Sequence, residues 1–244
     1  MNPQDHLIIP GWPAPANVKT LQTTRMGGSS AAPYDSRNLG DHVGDAPLTV
    51  ARNRMLLNNL LPSEPVWLEQ VHGTVVANAD MASCLPQADA CIARHRAAVC
   101  VVMTADCLPV LLCDTRGSVV GAAHAGWKGL AAGVIEATVQ AMDVAPQNLL
   151  AWLGPAIGQD AFEVGDEVRA MFVDADPLAA SAFIPGQSGK WLADIYALAR
   201  LRLNALGVTQ IYGGDYCTYR EAERFFSYRR DGATGRMGTF IWLE

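Results

Sequence analysis

The stretch that decides the fold is AVCVVMTADCLPVLLCDTRGSVVGAAHAGW, residues 98–127. It contains three short apolar runs, at 98–103, 108–113 and 118–123, which are separated by polar turns. Each run has the length of a buried strand and is far shorter than the ~20 residues that a membrane-spanning helix needs. Because the connections are too short for crossover helices, we expect antiparallel or mixed pairing rather than a doubly wound parallel sheet.

Helical and strand-like patterns surround this centre. The spacing of apolar residues predicts four helices, over 49–60, 130–142, 164–172 and 192–206. Apolar and β-branched residues predict further strands, over 20–25, 66–71, 74–77, 149–153, 211–212 and 239–243. We therefore predict an α+β fold and, since no repeat or low-complexity tract interrupts the chain, a single domain over residues 1–244.

The composition is typical of a compact globular protein. Half of the 244 residues are hydrophobic and 17% are charged, which excludes a disordered or collagen-like chain. The 18 basic and 24 acidic residues give a net charge of -6, and no basic run offsets it. A chain with this charge repels phosphate backbones and anionic bilayers, so we expect neither nucleic acid nor a membrane as a partner.

The N-terminus and the cysteine and histidine counts bear on compartment and metal chemistry. Residues 1–10 have neither the positive start nor the long apolar segment of a secretory signal, so we expect a cytoplasmic protein. The six cysteines are then expected to be reduced thiols rather than disulfides. The five histidines limit how many metal ions the chain can bind through imidazole.

Three potential metal ligands lie at the ends of predicted strands. His72 precedes a glycine, Cys107 lies in the turn between two apolar runs, and His124 follows the third run. Adjacent strands could carry Cys107 and His124 to one sheet edge, where His72 would supply a third ligand. Two imidazoles and a thiolate are a known catalytic zinc set that leaves a fourth position open. The alternative is that all three are ordinary core residues with satisfied hydrogen bonds.

Cationic residues are candidates for binding a phosphate or another anion. Lys128 lies at a predicted helix start, where the helix dipole favours negative charge. In the aromatic-rich block 225–236, Arg229 and Arg230 can form charge-assisted forks with an anion. The alternatives are a solvated surface position for Lys128 and a structural ion pair between Arg230 and Asp231.

Two loop residues and one carboxylate complete the candidates. Arg25 and Asn38 lie beside glycines, in loops that could line a pocket but would equally suit simple turns. Asp106, next to Cys107, places a carboxylate in otherwise apolar sequence, where it needs a partner.

Several enzyme classes are excluded because their motifs are missing from the sequence. The missing motifs are Walker A, the dinucleotide-binding fingerprint, the nucleophile elbow, HExxH and the zinc nucleobase-deaminase signature.

Seven motifs occur in a specific order along nearly the whole chain. They are TTRMGG at 23–28, NLGDHVGD at 38–45, QVHG at 70–73, TADCLPV at 104–110, HAGWKG at 124–129, LGPAIG at 153–158 and FFSYRRD at 225–231. Together they resemble the YfiH family, which is also called the peptidoglycan-editing-factor or multicopper polyphenol oxidoreductase (laccase) family. The resemblance implies a layered α/β/β/α sandwich similar to deamidating cysteine-hydrolase toxins.

The resemblance also implies a chemistry. Its zinc ligands fall on His72, Cys107 and His124, which would also be the catalytic residues. Members are known to cleave purine nucleosides with phosphate, to deaminate adenosine and, in some cases, to oxidise phenols. The expected substrates are therefore phosphate and adenosine, inosine or S-methyl-5'-thioadenosine, with Zn²⁺ as cofactor. Lys128 departs from the arginine that the family often has, which removes a bidentate fork at that position.

Three other functions stay open at the level of sequence. A copper-dependent polyphenol oxidase would use the same ligands with an axial methionine, but a multicopper cluster needs more imidazoles than the five histidines offer. A Cys–His hydrolase would use Cys107 as a nucleophile to edit peptidoglycan precursors. A non-enzymatic interaction protein would use a fourth protein ligand, such as Cys217 or Asp106, to hold a structural metal. The oligomeric state is not indicated.

Overall fold

The computed structural model describes residues 6–81 and 85–244. Its larger sheet has six strands, in the order β12 (Gln210–Gly213), β8 (Leu149–Leu153), β6 (Leu108–Asp114), β7 (Val120–Ala125), β4 (Ala90–Ala93) and β3 (Val76–Asn78). The two edge pairs, β12 with β8 and β3 with β4, are parallel, whereas the inner pairs are antiparallel. The expected mixed pairing is confirmed.

Two further sheets accompany it. The four-stranded sheet is antiparallel and has the order β1 (Leu7–Ile8), β2 (Val18–Thr23), β13 (Met237–Leu243) and β5 (Cys100–Thr104). A small antiparallel sheet has the order β10 (Phe183–Pro185), β11 (Trp191–Ala193) and β9 (Glu163–Val164).

Helices flank the sheets. They are α1 (Pro47–Met55), α2 (Trp127–Ala132), α3 (Val134–Met142), α4 (Asp166–Val173), α5 (Ile195–Leu206) and the short α6 (Tyr228–Asp231). Single 3₁₀ segments cover Pro146–Asn148, Gln159–Ala161 and Pro177–Ala182. Among the described residues, no helix is both long and apolar enough to cross a bilayer.

Three buried clusters show how the layers stack. The first joins the two large sheets face to face and includes Leu111 and Trp152 from one sheet and Val102 and Ile241 from the other. The second lies on the opposite face of the six-stranded sheet, which α3, α4 and α5 cover. The third lies on the outer face of the four-stranded sheet, where the segment after α1 contributes Leu57. The layered α/β/β/α arrangement is confirmed.

The central stretch divides between the two large sheets. β6 and β7 pair antiparallel, as expected, but β5 pairs with β13 in the other sheet. The turn 105–107 therefore crosses from one sheet to the other, and Asp106 turns the chain there with φ of 88°. Local pattern predicts strands but not which sheet each joins, because that depends on a partner more than a hundred residues away.

Three predicted helices and one predicted strand differ from the structure. The helix predicted over 49–60 corresponds to α1, which ends at Met55. The helix predicted over 130–142 is broken at Gly133, whose φ of 101° ends α2 and starts α3. The helix predicted over 192–206 starts later, because the Asp194 carboxylate caps α5 by accepting from the Ala197 N–H. The strand predicted over 66–71 is reduced to isolated bridges. The strand predicted over 149–153 is confirmed.

Candidate metal centre

The structure brings together the three ligands predicted from sequence. Potential ligand atoms of His72, Cys107 and His124 all lie within 4.8 Å of one another. The strand register explains why Cys107 lies beside His124. Leu108 pairs with Ala125, which places the preceding Cys107 at the end of β7 that carries His124. His72 reaches the same point from a loop before β3, where its φ is 61°.

Asp89 holds both the loop that carries His72 and the side chain of His124. Its buried carboxylate accepts hydrogen bonds from the backbone N–H groups of Val71, His72 and Gly73, at 3.2, 2.9 and 2.6 Å. Its Oδ1 also lies 2.8 Å from Nδ1 of His124. Burial raises the pKa of Asp89, but the bonds from His124 and Gly73 outweigh burial, so the pKa lies below its usual value.

The Asp89 bond determines which nitrogen of His124 is free. With Nδ1–H donating to the carboxylate, Nε2 is the ring nitrogen left to bind a metal once its proton is lost. His72 directs Nε2 to Cys107 Sγ at 3.7 Å, and the two imidazole rings meet edge to face with centroids 4.7 Å apart. Gly126 makes room for both, since a Cβ there would lie 2.8 Å from His72 Cδ2 and 2.9 Å from Cys107 Sγ.

The charges of Cys107 and His124 are coupled. Burial raises the pKa of the Cys107 thiol, but the neighbouring His124 and His72 rings outweigh it and bring that pKa down to about 6. Burial lowers the pKa of His124, whereas Cys107 and Asp89 raise it, to about 9. The thiol is thus prepared to be a thiolate near neutral pH, which is the form that binds metal or acts as a nucleophile.

This donor set fits zinc. Two imidazoles and one thiolate, with a carboxylate behind one imidazole, are the ligand types and the supporting contact that catalytic zinc sites use. Within residues 6–81 and 85–244, this is the one group of three or more His, Cys, Asp or Glu donors. The other three histidines, His6, His42 and His95, do not gather into a second cluster, which disfavours a multicopper centre.

Neither candidate for a fourth protein ligand belongs to the group. Cys217 Sγ accepts from the Gly158 N–H at 3.3 Å. The Asp106 carboxylate accepts from Thr218 Oγ1 at 2.6 Å and from the Arg229 N–H at 2.7 Å, so it has the partners that its burial requires. Three ligands with an open position are typical of a catalytic rather than a structural site.

The group lies on the wall of a cavity of about 780 Å³, within the size range of small-molecule sites. Aromatic side chains of Trp127, Phe162 and Tyr228 line it. Its charged lining residues are Asp106, Lys128, Glu163, Glu167, Lys190, Arg229 and Arg236. The cavity therefore offers stacking surface for a planar base and cations for an anion, next to the potential metal ligands.

Two of the predicted anion-binding residues line this cavity. Lys128 lies there with its ammonium 5.6 Å from the centre of the Trp127 ring. Arg229 lies there too, and its guanidinium donates to the carbonyl oxygens of Ala161 and Glu163 at 3.3 and 3.0 Å. Their roles toward a substrate stay predictions.

Arg25 and Asn38 are absent from the described lining of the cavity. The Arg25 guanidinium donates to the carbonyl oxygens of Asp35 and Ala222, both at 2.9 Å. Asn38 is fully buried, and its amide donates to the Gly40 carbonyl at 3.0 Å. Both side chains thus hold loops together in the structure.

Arg230 also lies outside the described cavity lining. It forms a two-point fork with Asp231, with both N–O distances at 2.8 Å. It also donates to the carbonyl oxygens of Thr218, Tyr219 and Phe225. This is the structural alternative that the sequence left open for Arg230.

A family model supports the interpretation of the motifs. The model described as multi-copper polyphenol oxidoreductase laccase matches residues 19–244. The chain belongs to this family. Proteins named YfiH are among its relatives, so the resemblance inferred from the seven motifs is confirmed.

Relatives match over nearly their full length. The purine nucleoside phosphorylase YfiH of Escherichia coli is 56% identical over 240 residues, covering 97% of this chain and 98% of its own. A purine nucleoside phosphorylase of Pseudomonas aeruginosa is 53% identical over 238 residues, with the same coverage. The crystal structure of a Neisseria meningitidis protein has a TM-score of 0.95 at 54% identity, covering 98% of this chain and 99% of that one.

Sequence reasoning missed two residues of this family site. Asp89 was not proposed, although it is a lone carboxylate between the alanines of an apolar run, which is a signal that a buried partner exists. Arg236 was included in the aromatic-rich block but not proposed as a ligand-binding residue. The structure places it in the cavity with Cys107.

Proposed function

We propose that this protein is a zinc-dependent purine nucleoside phosphorylase that also deaminates adenosine. The observation that carries the proposal is the group of His72, Cys107 and His124 on the wall of a nucleoside-sized cavity. Relatives named purine nucleoside phosphorylase, which are 53% and 56% identical, support the choice of substrate. Adenosine, inosine and S-methyl-5'-thioadenosine are the proposed nucleosides, and a cytoplasmic single-domain enzyme is part of the same proposal.

The side chains have separate tasks in this proposal. His72, Cys107 and His124 would hold the metal, which when bound supplies Lewis-acid chemistry. Asp89 keeps His124 in the required tautomer and fixes the His72 loop. Trp127, Phe162 and Tyr228 would stack on or enclose the base, since all three line the cavity.

The proposed phosphorolysis exchanges one bond at the sugar. A phosphate oxygen attacks C1′ of the ribose, the C1′–N9 bond breaks, and its electron pair and a proton go to the departing purine. The products are the free base and ribose 1-phosphate. Lys128 and Arg229 would place positive charge near the attacking phosphate. In the deamination, water adds at C6 of adenosine and ammonia leaves.

The test combines metal analysis with two assays on one natively purified sample. We expect about one zinc ion per chain, phosphate-dependent release of base from adenosine, and formation of inosine. Zinc-loaded protein that yields neither base nor inosine would contradict the proposal. Stoichiometric copper with an intense thiolate-to-copper absorption band would instead favour the polyphenol oxidase.

A second candidate is a metal-free Cys–His hydrolase that edits peptidoglycan precursors. The observation that favours it is the bond of Asp89 to His124 beside Cys107, an order of carboxylate, imidazole and nucleophile that is typical of hydrolytic triads. In this case Cys107 Sγ attacks a carbonyl carbon, the amine leaves with a proton from His124, and water then hydrolyses the thioester.

Alkylation separates the two candidates. If a metal occupies the site, Cys107 should resist iodoacetamide until a chelator removes the metal, and chelation should abolish activity. If Cys107 is a nucleophile, it should be alkylated without a chelator, and activity should survive chelation. The Cys113→Ser variant is the control, because this buried thiol lies in the core away from the cavity.

A further inference from the structure

Arg236 differs from the other cations of the cavity in how its guanidinium is bonded. Its Nη1 donates to the carbonyl oxygens of Thr234 and Gly235, at 3.1 and 3.0 Å. Within the part of the chain that the structure describes, the side-chain bonds of Arg236 are these two, both from Nη1, and they leave Nε and Nη2 without a hydrogen bond or a carboxylate. Because a guanidinium carries five N–H donors, most of this fork is available to a ligand.

The acidic groups around Arg236 are already engaged elsewhere. Asp106 lies close enough to attract Arg236, but its two oxygens accept from Thr218 and from the Arg229 backbone. Cys107 also attracts Arg236, and it belongs to the potential metal ligands. A half-buried guanidinium without a bonded carboxylate costs free energy unless a bound anion compensates its charge.

The loop 38–40 fixes Arg236 in this position. Asn38 Oδ1 accepts from the Arg236 N–H at 2.9 Å, and the Leu39 N–H donates to the Arg236 carbonyl at 3.1 Å. Gly40 packs against the side chain, since a Cβ there would lie 2.8 Å from Cγ of Arg236 and 3.2 Å from its Cβ. The N–H of Gly40 also donates to Asn38 Oδ1, at 2.9 Å, so one buried amide oxygen organises both segments.

We propose that Arg236 binds the inorganic phosphate co-substrate beside the His-Cys-His group, and that Asn38 and Gly40 are its positioning residues. This inference rests on the proposed function and deepens it. It gives Asn38, which the sequence indicated as a substrate contact, an indirect role. Arg229 and Arg236 each use two of their five N–H donors, but Arg229 uses one on each Nη, whereas Arg236 keeps Nε and Nη2 together as a free edge for a phosphate fork.

Kinetics of the Arg236→Gln variant, loaded with zinc, test the role in catalysis. Losing a charge-assisted fork should raise KM for phosphate by about tenfold to a hundredfold. Deamination of adenosine, which consumes no phosphate, should change less than about threefold. Arg236→Lys, which keeps the charge without the fork, should recover part of the phosphate affinity. An equal loss of both activities would overturn the proposal, as would an unchanged KM for phosphate.

Calorimetric titration with inorganic phosphate alone separates this proposal from the proposed function. If the wild type binds phosphate and Arg236→Gln binds it at least about tenfold more weakly, the subsite stands even when no nucleoside is cleaved. If Arg229→Gln loses phosphate binding and Arg236→Gln retains it, Arg236 is not the phosphate residue. Arg116→Gln, which removes an exposed charge outside the described cavity lining, should bind as the wild type does.

Gly40→Ala tests the positioning role without removing a charge. The added Cβ must displace the Arg236 side chain, so the variant should weaken phosphate binding in the same direction as Arg236→Gln, and zinc content should stay at the wild-type level. Unchanged phosphate affinity in a folded Gly40→Ala protein would contradict the role of the loop.

Discussion

Two buried carboxylates of the six-stranded sheet, Asp89 and Asp114, each hold a turn by accepting hydrogen bonds from its backbone N–H groups. Only Asp89 also contacts a potential metal ligand. Asp89 precedes β4 and Asp114 ends β6, and both are almost completely buried. Asp114 accepts from the Ser118 N–H at 2.6 Å, the Ser118 hydroxyl at 2.8 Å and the Val119 N–H at 3.0 Å. Its bonds close the turn between β6 and β7 and reach no ligand.

Asp89 differs from Asp114 in its partners, since Asp114 accepts from two backbone N–H groups and a hydroxyl, whereas Asp89 accepts from three backbone N–H groups and an imidazole. The three N–H groups held by Asp89 are consecutive, the loop that they belong to carries His72, and the fourth partner is His124. A buried carboxylate that holds a turn thus serves stability at one end of the sheet and the geometry of the potential metal ligands at the other.

Loss of the thiolate itself should have the largest effect. In Cys107→Ser, a weaker ligand replaces the thiolate between the two imidazoles, so zinc affinity and phosphorolysis should each fall by more than about a hundredfold. Metal analysis after dialysis and a base-release assay measure this. Full activity in a zinc-free Cys107→Ser protein would contradict the assignment of the site.

The variant Asp89→Asn should affect both metal binding and stability. The amide keeps one acceptor but loses the charge that orients His124, so zinc affinity should fall by about 10- to 100-fold. The free energy of unfolding should also fall, by about 1–3 kcal/mol, because three backbone N–H groups lose a charged acceptor. Competition with a chromogenic chelator and urea unfolding of the zinc-free protein provide the two measurements.

The matched variant Asp114→Asn should affect stability alone. The free energy of unfolding should again fall by about 1–3 kcal/mol, since the turn at 114–119 loses the same kind of acceptor. Zinc affinity and activity per folded molecule should equal those of the wild type. A loss of zinc affinity comparable to that of Asp89→Asn would break the distinction between the two carboxylates.

The pH dependence of stability should reveal the charge of Asp114. Burial raises its pKa, but the bonds from Ser118 and Val119 outweigh burial and lower it below its usual value. A carboxylate with a lowered pKa in the folded state stabilises the protein above its unfolded pKa of about 4, and this contribution is lost as pH falls further.

The stability difference between the wild type and Asp114→Asn should therefore be constant from pH 7 to about pH 5 and shrink below about pH 4. Urea unfolding at several pH values measures it. A difference that grows as pH falls would contradict the assigned direction. Neither protein needs zinc for this comparison, so the ligand group can be left empty in both.

The convergence of the His-Cys-His group could be predicted from sequence because its signals are local. His72, Cys107 and His124 each stand beside small residues where an apolar run ends, and antiparallel pairing of β6 and β7 brings two of them together. Most of the predicted strands are present for the same reason, although 66–71 forms only isolated bridges and β1, β4, β9, β10 and β11 were not predicted. The break at Gly133 was not predicted either, because a single glycine within a helical pattern does not by itself end a helix.

The supporting residues could not be found in this way because their contacts are not local. Asp89 reaches His124 across 35 residues of chain, and Arg236 reaches Asn38 across 198. The polar side chains predicted to bind substrate illustrate the same difficulty. Arg25, Asn38 and Arg230 have the right chemistry, but the fold uses their donors on backbone carbonyl groups.

Removal and return of the metal test the central claim most directly. The wild-type protein would be stripped with a chelator, reloaded with zinc and assayed for base release from adenosine plus phosphate, in parallel with Cys107→Ser. We expect activity to vanish on stripping, to return in proportion to zinc up to about one ion per chain, and to stay absent in the variant. Activity that survives complete stripping, or that zinc restores in the variant, would contradict the claim.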